Sequence, residues 1–213
     1  ALAFADHDVT PMIAVAGAVA QYITKGIVAR RNLDRLYVNN GGDISLYLNQ
    51  GHNFDIGIVN RIDAPEISMK ARVSAEDDVG GIATSGWRGR SFSLGVADAV
   101  TVLASTAAMA DAAATLIANE IDPGDCSRIE RRPACELDPD SDLGERLVTT
   151  NVAALSDTQI DVALARGQAL ARQFQADGHI VAASLSLQDD VRLVGDLKPQ
   201  RLDNFDNGER TNA

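Results

Sequence analysis

The stretch Val96 to Asn119, VADAVTVLASTAAMADAAATLIAN, constrains this chain most, because it sets a short apolar strand, Val100 to Ala104, directly ahead of a helix built almost wholly of alanine. Ser105 and Thr106 supply the helix cap. Alanine side chains leave a low surface, so neighbouring backbone can approach such a helix closely. One carboxylate, Asp111, stands in its middle among Ala108, Ala110, Ala112, Ala113 and Ala114. Thr115 lies four residues on, one turn away on the same face, and Asn119 continues that stripe. If this face is buried, the charge needs a partner, and a metal ion, a ligand or a cluster of backbone donors would each serve.

The rest of the chain reads as alternating helices and hairpins. Thr10-Pro11 marks a helix start, and the helix runs to about Arg31 with Ala14, Ala16, Gly17, Ala18 and Ala20 giving it a surface for close contact. From Arg35 the pattern changes to period two, and RLYVNNGGDISLYL predicts two strands joined through Asn39, Asn40, Gly41, Gly42 and Asp43. A tight hairpin turn is sufficient reason for these residues; the alternative is that the glycines present backbone N–H groups to an anion while Asp43 fixes a ligand hydroxyl or amine. Phe54 to Val59 and Glu66 to Val73 read as further strands about a turn at Asp63-Ala64-Pro65. Gly80 to Gly86, GGIATSG, is either a flexible connection or a segment that brings backbone, Thr84, Ser85 and Gly86 to a ligand. Ser156 and Gln159 form a capping box for a helix that ends at Gly178, and Ile180 to Leu187 with Val191 to Val194 predict a last hairpin.

A chain of 213 residues with 46% hydrophobic content can bury a full core. We expect a single α+β domain over residues 1–195, in one or two lobes, followed by a polar tail over 196–213. The net charge of −11 argues against a nucleic-acid partner, since phosphate backbones are met by clustered Lys and Arg. Pro11 to Ile23, the most apolar segment, is interrupted by glycine and short for a membrane span, so it reads as a buried helix. The chain begins without methionine and shows no signal-peptide pattern, so we expect a cytoplasmic protein with an N-terminal portion missing. Cys126 and Cys135 share one polar loop, Ile121 to about Glu145, without further zinc ligands nearby and read as free thiols. Within that loop ELDPDSDLGE fails as a calcium loop, because Leu143 replaces the required glycine and Thr149 the bidentate glutamate.

Three motifs in order, VNNGGDI (Val38 to Ile44), ATSG (Ala83 to Gly86) and VTVLASTAAMADAAAT (Val100 to Thr115), resemble the ApbE superfamily, in particular its shorter ApbE-related branch. The resemblance spans roughly Thr10 to Asp122. It implies an α+β fold with antiparallel sheets related to the T-fold, and a cleft that holds FAD or FMN. It further implies a Mg²⁺ held by Asp111, Thr115 and the backbone carbonyl of Ala14, with Asn40 to Asp43 and Thr84 to Gly86 lining a nucleotide site. The activity implied is Mg-dependent FMN transfer to a protein acceptor, or FAD hydrolysis. Departures are visible: Ala14, Val15 and Ala16 stand where such transferases carry Ala-Lys-Gly, and Ser91 to Gly95 replaces their His-x-x-Asp-Pro segment. The expectation is therefore a protein that binds a phosphate-bearing ligand, with a non-catalytic binding or assembly protein as the alternative and a homo-oligomer left open.

Overall fold

The computed structural model describes residues 2–4, 6–7, 9–59, 67–195 and 200–201. After a 3₁₀ turn at Pro11–Ala14 come helix α1 (Val15–Val28), strands β1 (Arg35–Asn40), β2 (Asp43–Leu48), β3 (Asn53–Val59), β4 (Ile67–Ser74), β5 (Gly81–Ser85) and β6 (Ala99–Ala104), and helix α2 (Ala107–Glu120). Strand β7 (Ile129–Pro133), the short helix α3 (Ala134–Leu137), strand β8 (Leu147–Val152), helix α4 (Asp157–Ala176), and strands β9 (Ala182–Leu187), β10 (Asp190–Val194) and β11 (Gln200–Arg201) complete it. The fold is α+β with antiparallel sheets and packed helices, as expected. A six-stranded sheet runs in the order β1-β2-β5-β6-β9-β10, every neighbouring pair antiparallel. Helices α1, α2 and α4 cover one face, α1 over β1 and β2, α2 over β5 and β6, and α4 over β9 and β10. The other face receives the β3–β4 hairpin through Leu46, Ile82, Leu103 and Val73, with Phe54 and Ile56 packed on them.

The alanine helix is the centre of this arrangement. Ala107, Ala110, Ala112, Ala113, Ala114 and Ala118 are all buried, so α2 is covered nearly all round by sheet, α1 and α4. Helix α1 crosses it at Gly17, where a Cβ would lie 2.3 Å from the carbonyl oxygen of Ala107. A side chain there would force the two helices apart. Gly81 in β5 serves the opposite contact, since its Cβ would fall 2.2 Å from the Ala107 nitrogen. The Gly80 to Gly86 segment is thus no flexible connection. Residues Gly81–Ser85 of it enter the sheet as β5, and Gly80 and Gly81 let the start of α2 lie close on that strand.

The caps act as the sequence predicts at α2 and α4. Thr106 Oγ1 accepts from Met109 N–H at 3.2 Å, and Ser156 and Gln159 form the reciprocal capping box. At the first helix the expectation is only partly met: the run to Arg31 is a 3₁₀ turn and then α1, which ends at Val28, and Thr10 makes no side-chain cap. The helical run Pro11–Val28 is 18 residues, long and apolar enough by length and composition to cross a membrane, which corrects the shorter apolar segment read above. Nor is it wholly buried. Gly17, Ala20 and Thr24 face inward, while Met12, Val15, Val19, Tyr22, Ile23 and Ile27 are exposed.

Two further differences concern the polar regions. Ile129–Pro133 pairs with Leu147–Val152 as a two-stranded ribbon, where the composition reads as loop. Its burial alternates by residue, but one inward position is Arg131, which reaches Asp122 at 2.6 Å, so the period-two pattern is not written as apolar against polar. Cys126 and Cys135 are free thiols bonded to Gln159 and Glu145 respectively. The predicted turn at Asp63-Ala64-Pro65 lies outside the described residues, as does the tail apart from Gln200–Arg201, which pairs with Lys70 and Met69 of β4.

Candidate functional site

The β1–β2 hairpin divides the predicted site residues between two faces of the sheet. Its loop is Gly41-Gly42, with φ of +72° and +117°, a two-residue turn that favours glycine at both positions. Gly42 N–H donates to Asn39 Oδ1 at 2.9 Å and locks the turn. Alternation along β2 then sends Asp43 toward the helices and Ile44 toward the hairpin β3–β4.

On the helix side, Asp111 lies against the N-terminus of α1. Its Oδ2 accepts from Gly17 N–H at 2.9 Å, and Ala16 N–H also draws on the carboxylate. Of the partners named for this charge, a backbone donor cluster is the one present: Asp111 caps a helix 94 residues away in sequence. Asn40 Nδ2 donates to Ala16 carbonyl oxygen at 3.1 Å, tying the hairpin to the same helix start. Burial holds Asp43 up at about 7, and the charge of Asp111 adds to the shift. Burial also raises Asp111, to about 6, against the two N–H groups that draw it down. Both carboxyls are thus raised first by burial, and the Asp111 charge adds to the shift of Asp43. Thr115 lies a turn farther along α2, half-buried, and its hydroxyl makes no hydrogen bond among the described residues. Ala14, buried beside α2, is the N-cap of α1, so its carbonyl opens the ladder of that helix. Asn119, next on the stripe, is committed to structure: its Oδ1 accepts from Leu94 N–H at 2.9 Å and Ser93 Oγ at 3.3 Å.

On the other face a cavity of about 680 Å³ opens between the sheet and β3, within the range of small-molecule sites. Tyr37, Ile44, Leu46 and Ile82 form its sheet wall; Phe54 and Ile56 close it from β3, Phe54 edge-on to Tyr37 at 6.0 Å. The wall turns polar at Thr84 and Thr101, whose hydroxyls share a hydrogen bond of 2.9 Å. Beside Thr101 on β9, the buried Ser184 hydroxyl has no partner among the described residues. Gly41, Gly42, Arg88 and Arg90 also line the cavity, and Arg90 Nη1 lies 3.3 Å from where a Cβ on Gly41 would stand. Arg88 is fixed from behind: its Nε donates to the buried Asp98 at 2.9 Å, which also accepts from Trp87 Nε1 at 3.2 Å, and the guanidinium lies over the Trp87 ring at 4.5 Å.

Of the residues read as nucleotide-binding, Gly41, Gly42 and Thr84 therefore line the cavity, while Asn40 and Asp43 lie with Asp111 across the sheet. Gly86 lines neither: a Cβ there would meet the Asp98 carbonyl oxygen at 2.5 Å, so close strand packing accounts for it. Ser85 is half-buried on the strand face opposite Thr84. Sequence reasoning missed Arg88, Arg90 and Asp98. The only local signal was the alternation of cation and small residue in Trp87-Arg88-Gly89-Arg90 directly after β5. Among the described residues no cluster of three or more His, Cys, Asp or Glu side chains stands ready for a metal; two carboxylates, Asp43 and Asp111, share one end of the hairpin.

Comparison with known proteins assigns the family. The AbpE bacteria family model matches residues 1–193. The chain belongs to the AbpE bacteria family. It is also similar to UPF0280 proteins of archaea: 40% identical over 111 residues to one from Methanopyrus kandleri, covering 52% of this chain and 43% of that relative, and 36% identical over 113 residues to one from Methanocaldococcus jannaschii, covering 53% and 45%. A UPF0280 protein of Methanosphaerula palustris is 39% identical over 117 residues, covering 54% of this chain and 48% of the relative. The match spans a little under half the length of these relatives. The family match and these relatives overturn the resemblance to the ApbE flavin-transferase superfamily. Much of what carried that resemblance has a structural explanation here, in the hairpin turn at Gly41-Gly42, the strand packing at Gly86 and the helix cap at Asp111.

Proposed function

We propose that this family member binds a phosphate-bearing ligand with an apolar ring system, a flavin nucleotide being one such molecule, together with Mg²⁺. The observation that carries the reading is the Gly41-Gly42 turn, which borders the apolar cavity on one face and the Asp43–Asp111 carboxylate pair on the other. A ring fits against Ile44, Leu46, Ile82 and Phe54; Arg90 and Arg88 supply cations for a phosphate at the cavity mouth. Mg²⁺ is bound elsewhere through one or two carboxylates with phosphate and water completing the octahedron, so two carboxylates and the Thr115 hydroxyl suit it as a donor set. In this reading the backbone carbonyl of Ala14, in the 3₁₀ turn that packs on α2, would be the further donor.

The Asp111 cap favours a second reading, a non-catalytic binding or assembly protein in which that carboxylate serves only α1. Thermal shift separates them, because a ligand of the native state raises stability by mass action. Mg²⁺, ADP, FMN and FAD are added singly and in pairs to the chain and to its Asp111→Asn variant, which keeps an acceptor for Gly17 N–H. The proposal expects a shift with FMN or FAD that Mg²⁺ enlarges, and loss of the Mg²⁺ increment in the variant. No shift with any nucleotide, or an unchanged Mg²⁺ increment in Asp111→Asn, overturns it.

A further inference from the structure

We propose that two copies of this chain associate through β1 and α1, joining their six-stranded sheets edge to edge into one sheet of about twelve strands. Two separate features of one side of the molecule carry this. The first is the edge of the sheet: among the described residues no strand pairs with the outer side of β1. Its pairing with β2 is in continuous register from Arg35 to Asn40, without proline or bulge, so the edge is straight and open. Asn40 and Asp43 close the two-residue loop as a hydrogen-bonded pair, so alternation turns the backbone N–H and C=O of Arg35, Tyr37 and Asn39 to the open side. Natural edges are blunted by charge, proline or bulges, and β1 carries only Arg35.

The second feature is the helix above that edge. Met12, Val15, Val19, Tyr22, Ile23 and Ile27 recur at helical spacing, with exposures from 36% at Ile27 to 81% at Tyr22. At about 100° per residue, Val15, Val19, Tyr22 and Ile23 lie on the far side of α1 from Gly17 and Gln21. Those two meet α2, Gly17 at Ala107 and Gln21 by accepting from Ala108 N–H at 3.4 Å. The apolar stripe therefore points away from α2, and α1 lies over β1 and β2, so the stripe looks past the open edge of the sheet.

A two-fold axis perpendicular to the sheet satisfies both features at once. It pairs β1 antiparallel with its symmetry mate, keeps both helix layers on the same face and sets the two α1 stripes side by side. The antiparallel helix pair also separates Lys25, Arg30 and Arg31 of one copy from the same cations of the other; α1 carries no acid to oppose them. Six side chains exposed to this degree present on the order of 500 Å² per copy, so joining two stripes removes on the order of 1,000 Å², which reaches the size of a specific interface before the strands are counted. A lipid surface would cover the stripe but leave the strand edge unpaired.

Sedimentation velocity on the chain at micromolar concentration tests this, with twice the 22.5 kDa protomer mass expected. The double variant Val19→Glu, Ile23→Glu places charge on exposed positions and leaves the monomer folded by far-UV circular dichroism; it should self-associate at least ~100-fold more weakly. Hydrogen exchange checks the strand pairing: the amides of Arg35, Tyr37 and Asn39 are protected in the dimer and lose protection in the double variant. A wild-type monomer overturns the proposal, and if that monomer floats with vesicles of phosphatidylcholine and phosphatidylglycerol, the stripe is a lipid-binding face. A dimer that the double variant leaves intact, or one whose three edge amides exchange freely, overturns it as well.

Discussion

Replacing Asp43 by Asn tests the electrostatics of the carboxylate pair directly. Asp43 is half-buried and held at about 7, first by burial and then by the Asp111 charge. A carboxyl raised in the folded state favours folding at low pH, and that contribution is lost as pH climbs from the ordinary carboxylate range, about 3.8, toward about 7. Displacement of the midpoint by this much corresponds to about 4 kcal/mol for a fully enclosed group. Solvent access to a half-buried carboxyl reduces this to about 2 kcal/mol, of which roughly 1 kcal/mol falls between pH 5 and pH 8. Urea unfolding of the wild type and Asp43→Asn at both pH values measures it. The wild type should lose this much more stability than the variant on going to pH 8, and millimolar Mg²⁺ should restore it in the wild type alone if the pair holds the ion, because metal binding displaces the proton. Equal pH dependence in the two proteins would refute the assigned cause of the Asp43 shift. Restoration by Mg²⁺ in both would place the ion elsewhere.

Other substitutions probe the packing and the cavity. Gly17→Ala, which sets a Cβ 2.3 Å from the Ala107 carbonyl, should cost about 2–3 kcal/mol and lower Tm by roughly 5–10 °C in a calorimetric scan. Removing the buried partner of Arg88 by Asp98→Ala should cost about 3 kcal/mol in urea unfolding and shift Trp87 fluorescence, since three donors then lose one acceptor. Arg90→Ala should weaken FMN binding by about tenfold in titration calorimetry while leaving Tm without ligand nearly unchanged; equal affinity would remove Arg90 from the phosphate site.

Local chemistry made several elements readable from residues alone. Thr106 and the Ser156–Gln159 box each satisfy N–H groups within three residues, and Asn39 to Gly42 suit a tight turn. The period-two segments became strands, and the α+β antiparallel class followed from them. Where the signal was masked, as in β7, burial alternates but the inward set is Ile129, Arg131 and Pro133 rather than a run of apolar residues. The Asp111–Thr115 stripe was legible as a feature, but its partner was not. That partner is the start of α1, and nothing in a sequence spacing of 94 residues encodes which carboxylate will meet which N–H group.

The sequence by itself determined the caps, the turn glycines and a central helix of small residues; these depend on neighbours a few positions away. Only the tertiary structure decided what the small residues were for. Gly17 and Gly81 bring α1 and β5 against Ala107, and that contact places the Asp111 carboxylate under the first N–H groups of α1. The pleat of β2 then settled which face each candidate residue serves, leaving Asp43 with Asp111 and Gly41, Gly42 and Thr84 with the cavity. Long-range packing has no counterpart in local spacing, because a one-residue shift in pairing register turns every side chain of a strand to the other face and leaves the sequence unchanged.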